Sequence, residues 1–208
     1  MAVKRITHRE RQALATRVQV TDAARRLFAT QGYVATTIAA IAAEADIPVQ
    51  TIYSAFGSKM RILTELANRV VGTIDPMRRH EEALAQADPA AGLRINAAVQ
   101  REQYEAMYDI IAVFEQAAQT DREVAAAARS ILDNRERAFR RHLTGIKRHL
   151  SRPVEEALDI YLTLVLPQVY RSLVLDRGWS PDRYETWLGD EFTTQLLRPP
   201  RPARKVAP

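Results

Sequence analysis

Residues 36–56, TTIAAIAAEADIPVQTIYSAF, decide how this chain folds. Thr36-Thr37 offers an N-cap hydroxyl to a short helix whose apolar positions are Ile38, Ile41 and Ala42. Pro48 opens a second short helix, to about Ala55, because the first helical position needs no N–H. Ile41-Ala42 supplies an apolar anchor and a small residue where the two helices cross. Ala45 and Ile47 bracket the turn, and Ile52 pins the second helix back onto the first. So tight a turn calls for a left-handed residue, and Asp46 is one of the few side chains that tolerate that conformation. Two helices of about eight residues around a tight turn, behind a longer helix, make a helix-turn-helix.

Helical signals continue on both sides. Val20, Ala23, Ala24, Leu27 and Phe28 form one apolar stripe on a helix from His8 to Thr30, stopped by Gly32. Gly57-Ser58 ends the second short helix, and Ser58 caps a longer one carrying Ile62, Leu63, Leu66 and Val70, which Pro76 ends. One helix then starts near Pro89 and carries Leu93, Ala97, Gln100, Tyr104 and Met107. Another holds Ile110, Ile111 and Phe114 and breaks near Thr120-Asp121. A long helix runs from Asp121 to about Leu150, and an apolar one runs from Pro153 through Leu175 to a stop at Gly178. Ser180-Pro181 opens the last, with Tyr184, Trp187, Leu188, Phe192 and Leu196. Good helix formers dominate and period-two alternation is absent, so the fold reads as all-α.

Charge divides the chain. Residues 1–79 hold 12 Lys/Arg against 6 Asp/Glu, residues 80–197 hold 14 against 19, and residues 198–208 carry four basic residues and no acid. A basic head on an acidic body points the head at a polyanion. Cysteine is absent, which excludes a disulfide scaffold and a thiolate metal site. The apolar stretch Tyr161–Val169 is too short to span a bilayer, and no apolar signal core follows Lys4, Arg5, Arg9 and Arg11. A cytoplasmic protein without a membrane partner is expected. His8, His80, His142 and His149 have no cysteine or carboxylate pair at ligand spacing, and no Gly-rich phosphate loop or nucleophile elbow occurs. No enzyme, catalytic residue, metal or cofactor is therefore expected.

The stretch VTDAARRLFATQGYVATTIAAIAAEADIPVQTIYSAFGSKMRIL, Val20–Leu63, resembles the N-terminal signature of the TetR family of bacterial repressors nearly end to end. It has the AA-x-x-LF stripe, a Gly-aromatic pair, the Thr-Thr pair, the IA-x-x-A turn, a T-I-Y-x-x-F recognition helix and the following S-K. Two departures, Gln50 where many members have glycine and Ala55 where many have histidine, alter the groove-facing surface. Operator preference therefore does not carry over. The resemblance implies residues 1–58 as a DNA-binding domain and 59–197 as a ligand-binding and dimerisation domain, while the proline-rich, basic composition of 198–208 predicts a disordered tail. It implies a homodimer through the helices from Pro153 to Gly178 and from Ser180 to Leu197.

A recognition helix lies in the major groove with its N-terminal residues nearest the bases. Val49, Gln50, Thr51 and Ser54 can face outward there, Gln50 to an adenine and Val49 to a thymine methyl. Thr37, Tyr53 and Lys59 look like the family's phosphate contacts, which fix register without reading sequence. Lys4, Arg5, Arg9 and Arg11 are read as a mobile arm. Leu158, Tyr161, Leu162, Val165, Val169, Leu173, Trp187, Leu188 and Phe192 are too many apolar groups for a monomer to bury, which favours the dimer. Tyr104, Met107, Tyr108, Ile111, Phe114, Tyr161, Gln168 and Arg171 are the candidate lining of an inducer pocket. The function expected is a repressor released from a palindromic operator by a small molecule. A regulator without an inducer and a charge-driven architectural DNA binder are the alternatives.

Overall fold

The computed structural model of the chain describes residues 7–199. Among them are ten α-helices, a 3₁₀ turn at Lys147–His149, a π turn at Arg171–Asp176 and no strand. The helices are α1 (His8–Ala35), α2 (Ile38–Ala45), α3 (Val49–Phe56), α4 (Lys59–Ile74) and α5 (Pro76–Leu84). After these come α6 (Pro89–Ala118), α7 (Arg122–Gly145), α8 (Val154–Leu164), α9 (Pro167–Tyr170) and α10 (Pro181–Leu196). Packing divides the chain into two units. The first runs up to Thr73 and includes Met107–Ser130; the second holds Ile74–Ala106 and the chain from Ile131 onward.

In the first unit, a reciprocal cap between Thr7 and Glu10 starts α1. Val20, Ala23, Ala24 and Phe28 are buried along its stripe. Gly32, at φ 78°, breaks the helical geometry as a stop should, and one more turn follows to Ala35. Arg9 and Arg11 belong to the exposed start of α1 rather than to an arm, while Lys4 and Arg5 lie outside the described residues. Thr37 caps α2 through Ala40 N–H at 3.0 Å, and Asp46 takes the left-handed conformation at φ 51°, ψ 45°. Pro48 stands one residue ahead of α3 as its N-cap. Gly57 closes α3 at φ 77°. Ile41, Ile52, Ile62 and Leu63 are each fully buried, so the three helices after α1 share one core.

Beyond α4 the chain departs from the sequence reading in three places. Pro76 does end α4, but Asp75 caps a further helix, α5, that the hydrophobic pattern does not reveal. The two helices expected on either side of Met107 are one bent helix, α6, with Met107 off helical geometry at φ −143°, ψ 19°. The helix expected from Pro153 through Leu175 is broken. Leu166 is extended (φ −68°, ψ 139°) before Pro167, which disfavours the helical state in its predecessor. The α6 start passes so close to α5 that a Cβ on Gly92 would sit 2.5 Å from the Ala83 carbonyl oxygen. Arg198 donates through Nε to Leu150 O at 2.8 Å, so the chain is pinned at the point where the tail was expected to begin. Residues 200–208 of that tail lie outside the described residues.

Two of the second unit's imidazoles, His80 and His142, are shifted by burial. His142 on α7 is 2% exposed, with both ring nitrogens unpartnered, and His80 on α5 meets Asn96 Oδ1 through Nδ1 at 2.8 Å. Burial, and secondarily the nearby His80, lowers the His142 pKa to about 4; burial likewise lowers that of His80. In the unfolded chain both titrate near the ordinary 6.5. Folding is therefore unpenalised above 6.5, and stability falls as acid protonates the unfolded state first. At about 1.4 kcal/mol per unit of separation, His142 alone removes about 3 kcal/mol between pH 6.5 and 4. Urea midpoints taken down this range are expected to drop steeply, and His142→Leu is expected to flatten the profile.

Candidate nucleic-acid interface and ligand-binding residues

On α3, the buried positions are Ile52 and Phe56, spaced one turn apart. That leaves Val49, Gln50, Thr51, Tyr53 and Ser54 exposed together, with Val49 40% and Tyr53 49% accessible. Large apolar and aromatic groups held open to solvent on an eight-residue helix, over so well buried a base, suit contact with another molecule. Thr37 is exposed at the α2 start, where unsatisfied N–H groups favour an anion.

Lys59 is more constrained than its sequence suggests. Its Nζ donates to Tyr33 O at 2.6 Å and Thr36 O at 2.8 Å, and lies 4.2 Å from the centre of the Tyr33 ring. Burial lowers its pKa, partly offset by the charge of Asp121. Of the three donors of this ammonium, two tie α4 to the junction of α1 and α2.

Arg17 escaped the sequence reading. From α1 it donates through Nε to Glu65 Oε1 at 2.7 Å, through Nη2 to Glu65 Oε2, and through Nη1 to the Ala55 carbonyl at 2.8 Å. Its guanidinium also lies 4.6 Å from the centre of the Phe56 ring. One side chain thus fastens the end of α3 to α1 and α4. The partners stand 48 and 38 residues away, so no local pattern announces it. Gln19 does similar work at α2, donating to Ala45 O at 2.7 Å. Arg25 grips Asp109 at 2.7 and 2.8 Å, and the Tyr33 hydroxyl reaches Asp121 at 3.3 Å.

The expected pocket lining is split between the units. Met107, Tyr108, Ile111 and Phe114 belong to the first, while Tyr104, Tyr161, Gln168 and Arg171 belong to the second. Within the second, Tyr104 and Tyr161 are buried, and Gln168 and Arg171 are exposed. The Tyr104 ring lies 4.8 Å from Tyr170 and 6.5 Å from Tyr184. No metal-binding group of His, Asp or Glu forms among the described residues.

Contrary to the sequence expectation, the single chain buries most of the nine apolar residues between Leu158 and Phe192. Leu158, Tyr161, Val165, Leu188 and Phe192 are each at most 2% exposed within the single chain. Only Leu162, Val169, Leu173 and Trp187 remain half-buried, with Leu166 and Leu175 exposed beside them. Among the described residues, no single helix is long and apolar enough to cross a membrane.

Residues 20–66 match the family model described as bacterial regulatory proteins, tetR family. No curated protein matches the chain. Its fold is similar to that of NalD from Pseudomonas aeruginosa, the secondary repressor of the MexAB-OprM multidrug efflux pump. The TM-score is 0.73 at 18% identity, over 89% of this chain and 98% of that one. The SmeT–triclosan complex aligns with TM-score 0.72 at 18% identity, covering 88% and 92%. A putative transcriptional regulator from Saccharomonospora viridis in complex with choline aligns with TM-score 0.68 at 21% identity, covering 89% and 100%. These similarities establish the helical fold.

Proposed function

With residues 20–66 placed among the bacterial regulatory proteins of the tetR family, we propose that the chain is a dimeric repressor that grips a palindromic operator through α3 and releases it on binding a small molecule. The observation that carries this reading is the exposed Val49–Gln50–Thr51–Tyr53–Ser54 surface standing on a fully buried Ile52. Val49, Gln50, Thr51 and Ser54 read base edges, while Thr37, Tyr53 and the remaining Lys59 proton hold phosphates. Two-fold pairing through the half-buried faces of α8–α10 sets two α3 helices about 34–36 Å apart, one turn of DNA.

Release is a population shift. The effector binds better to a conformation whose α3 helices are wrongly spaced, and shifts the balance only by that difference in affinity. Ligand complexes of similarly folded proteins, with triclosan and with choline, support such a response. The chain passes between its two units next to Thr73, Ala106 and Ser130, and α4 is the lever nearest the DNA-binding helices.

Fluorescence anisotropy on the chain's own upstream DNA against a shuffled duplex, across a salt series, tests the reading. Specific sites are usually favoured by about 10³–10⁷, so at least a hundredfold preference is expected here. Equal binding to both duplexes favours charge-only attachment. Thr51→Ala is expected to change sequence preference. Lys59→Ala is expected to weaken all duplexes alike and also to lower the melting temperature, since two carbonyls lose their donor. Unchanged binding in both variants would remove α3 as the reading element.

A further inference from the structure

The interior of the second unit holds hydrogen-bond donors that no acceptor answers. Arg135 Nε and the hydroxyls of Tyr161 and Tyr184 are buried without a partner, and the two tyrosines are 1% and 0% exposed. These groups form one cluster. Arg135 Nη2 donates to Gln100 Oε1 and to the Val165 carbonyl at 3.1 Å, and the Tyr104 hydroxyl donates to that same carbonyl at 2.5 Å. The Tyr104 ring leads on to Tyr184. On the other side, the guanidinium lies 5.4 Å from the Phe139 ring centre, and Phe139 packs 4.3 Å from Tyr161. The charge of Arg135 reaches both hydroxyls, opposing the burial that raises their pKa values.

The cluster also lacks a counter-charge. Arg79, Arg101 and Arg140 of the same unit each meet a carboxylate. Among the described residues, none lies within ion-pair distance of Arg135. The acceptors at hand, Gln100 Oε1 and the Val165 carbonyl, are already taken by Arg135 and Tyr104. What the site lacks is an acceptor that carries negative charge, and a guanidinium edge matches a planar carboxylate best. The surroundings are aromatic: Tyr161 stacks on Phe192 at 4.3 Å and 6°, an apolar setting for the body of an organic acid that parts them.

We propose that this cluster recognises the effector, and that the effector is a small organic carboxylate held by Arg135, Tyr161 and Tyr184 with its apolar body among the aromatic rings. The proposal rests on the reading of the chain as an effector-released regulator. Entry displaces the least regular wall, residues 165–176, where α8 has ended and only a four-residue helix and a π turn follow. Such turns cluster at functional sites.

Calorimetry on the full chain tests it with benzoate, phenylacetate and octanoate against benzamide, benzyl alcohol and octan-1-ol. At least one carboxylate is expected to bind well ahead of its neutral counterpart, and Arg135→Gln is expected to weaken it about 10- to 100-fold. Equal binding of acid and neutral probes overturns the proposal, as does failure of all three acids at millimolar concentration. Tyr161→Phe and Tyr184→Phe give a measure that needs no ligand. If the hydroxyls are unanswered, each variant melts at or above the wild-type temperature; a clear fall means the fold itself satisfies them, and the proposal fails. Anisotropy on operator DNA separates the two readings. An acid that binds without releasing DNA removes induction and keeps this site. A neutral compound that releases DNA from wild type and Arg135→Gln alike keeps induction and removes the carboxylate.

Discussion

Ile52→Ala is expected to abolish selective DNA binding and to cost about 2–5 kcal/mol of stability, the range for truncating a large core side chain. Ile52 is 0% exposed and lies at the middle of α3, whose other buried anchor is Phe56. Removing its outer carbons leaves a void under an eight-residue helix that is too short to persist without its packing. The DNA-facing residues stay intact but lose their fixed geometry, and apparent affinity falls with the fraction of molecules in which α3 is docked. Val49→Ala is the control for stability alone, since Val49 is 40% exposed and its loss leaves the core intact. Urea denaturation measures the loss of stability and anisotropy the loss of binding. If Ile52→Ala bound the native duplex as wild type does, α3 would not be the reading element.

Gly92→Ala is expected to be the most harmful change for its size. The added methyl group would stand 2.5 Å from the Ala83 carbonyl oxygen and 3.5 Å from His142 Cε1. The obstacle is backbone, so α5 and α6 must part. Overpacking of this kind costs about 1–3 kcal/mol, and a rigid obstacle puts this case at the upper end. The same substitution at Gly72 in α4 meets nothing within 4 Å. There the helix preference for alanine dominates and adds about 1 kcal/mol. Denaturation midpoints of the two variants are thus expected to move in opposite directions. A stabilised Gly92→Ala would mean that α5 and α6 are not packed as described.

The helix-turn-helix was legible because its signals are local. A capping threonine, a residue able to turn left-handed at Asp46, a proline at the α3 start and a glycine at its end each act within a few residues. The break at Pro167 was missed, although the same local logic applies there, because the apolar run around it masked the proline's effect on Leu166. α5 carries no apolar stripe to find. Periodicity shows which face of a helix is apolar, not which neighbour it faces. Met107 and Tyr104 therefore look alike in sequence, yet lie in different packing units. Arg17 and Arg135 act on partners from 30 to 48 residues away, beyond any spacing rule.

The first unit is not one continuous length of chain, because Met107–Ser130 belongs to it as much as the four helices before Thr73. Arg25 finds its carboxylate at Asp109, and Tyr33 finds its own at Asp121. A graft that exchanges only the N-terminal residues with those of a relative would carry the reading helix but strand both partners. The transplantable module is therefore two pieces of sequence, and a hybrid regulator inherits a working reader only when both are moved together.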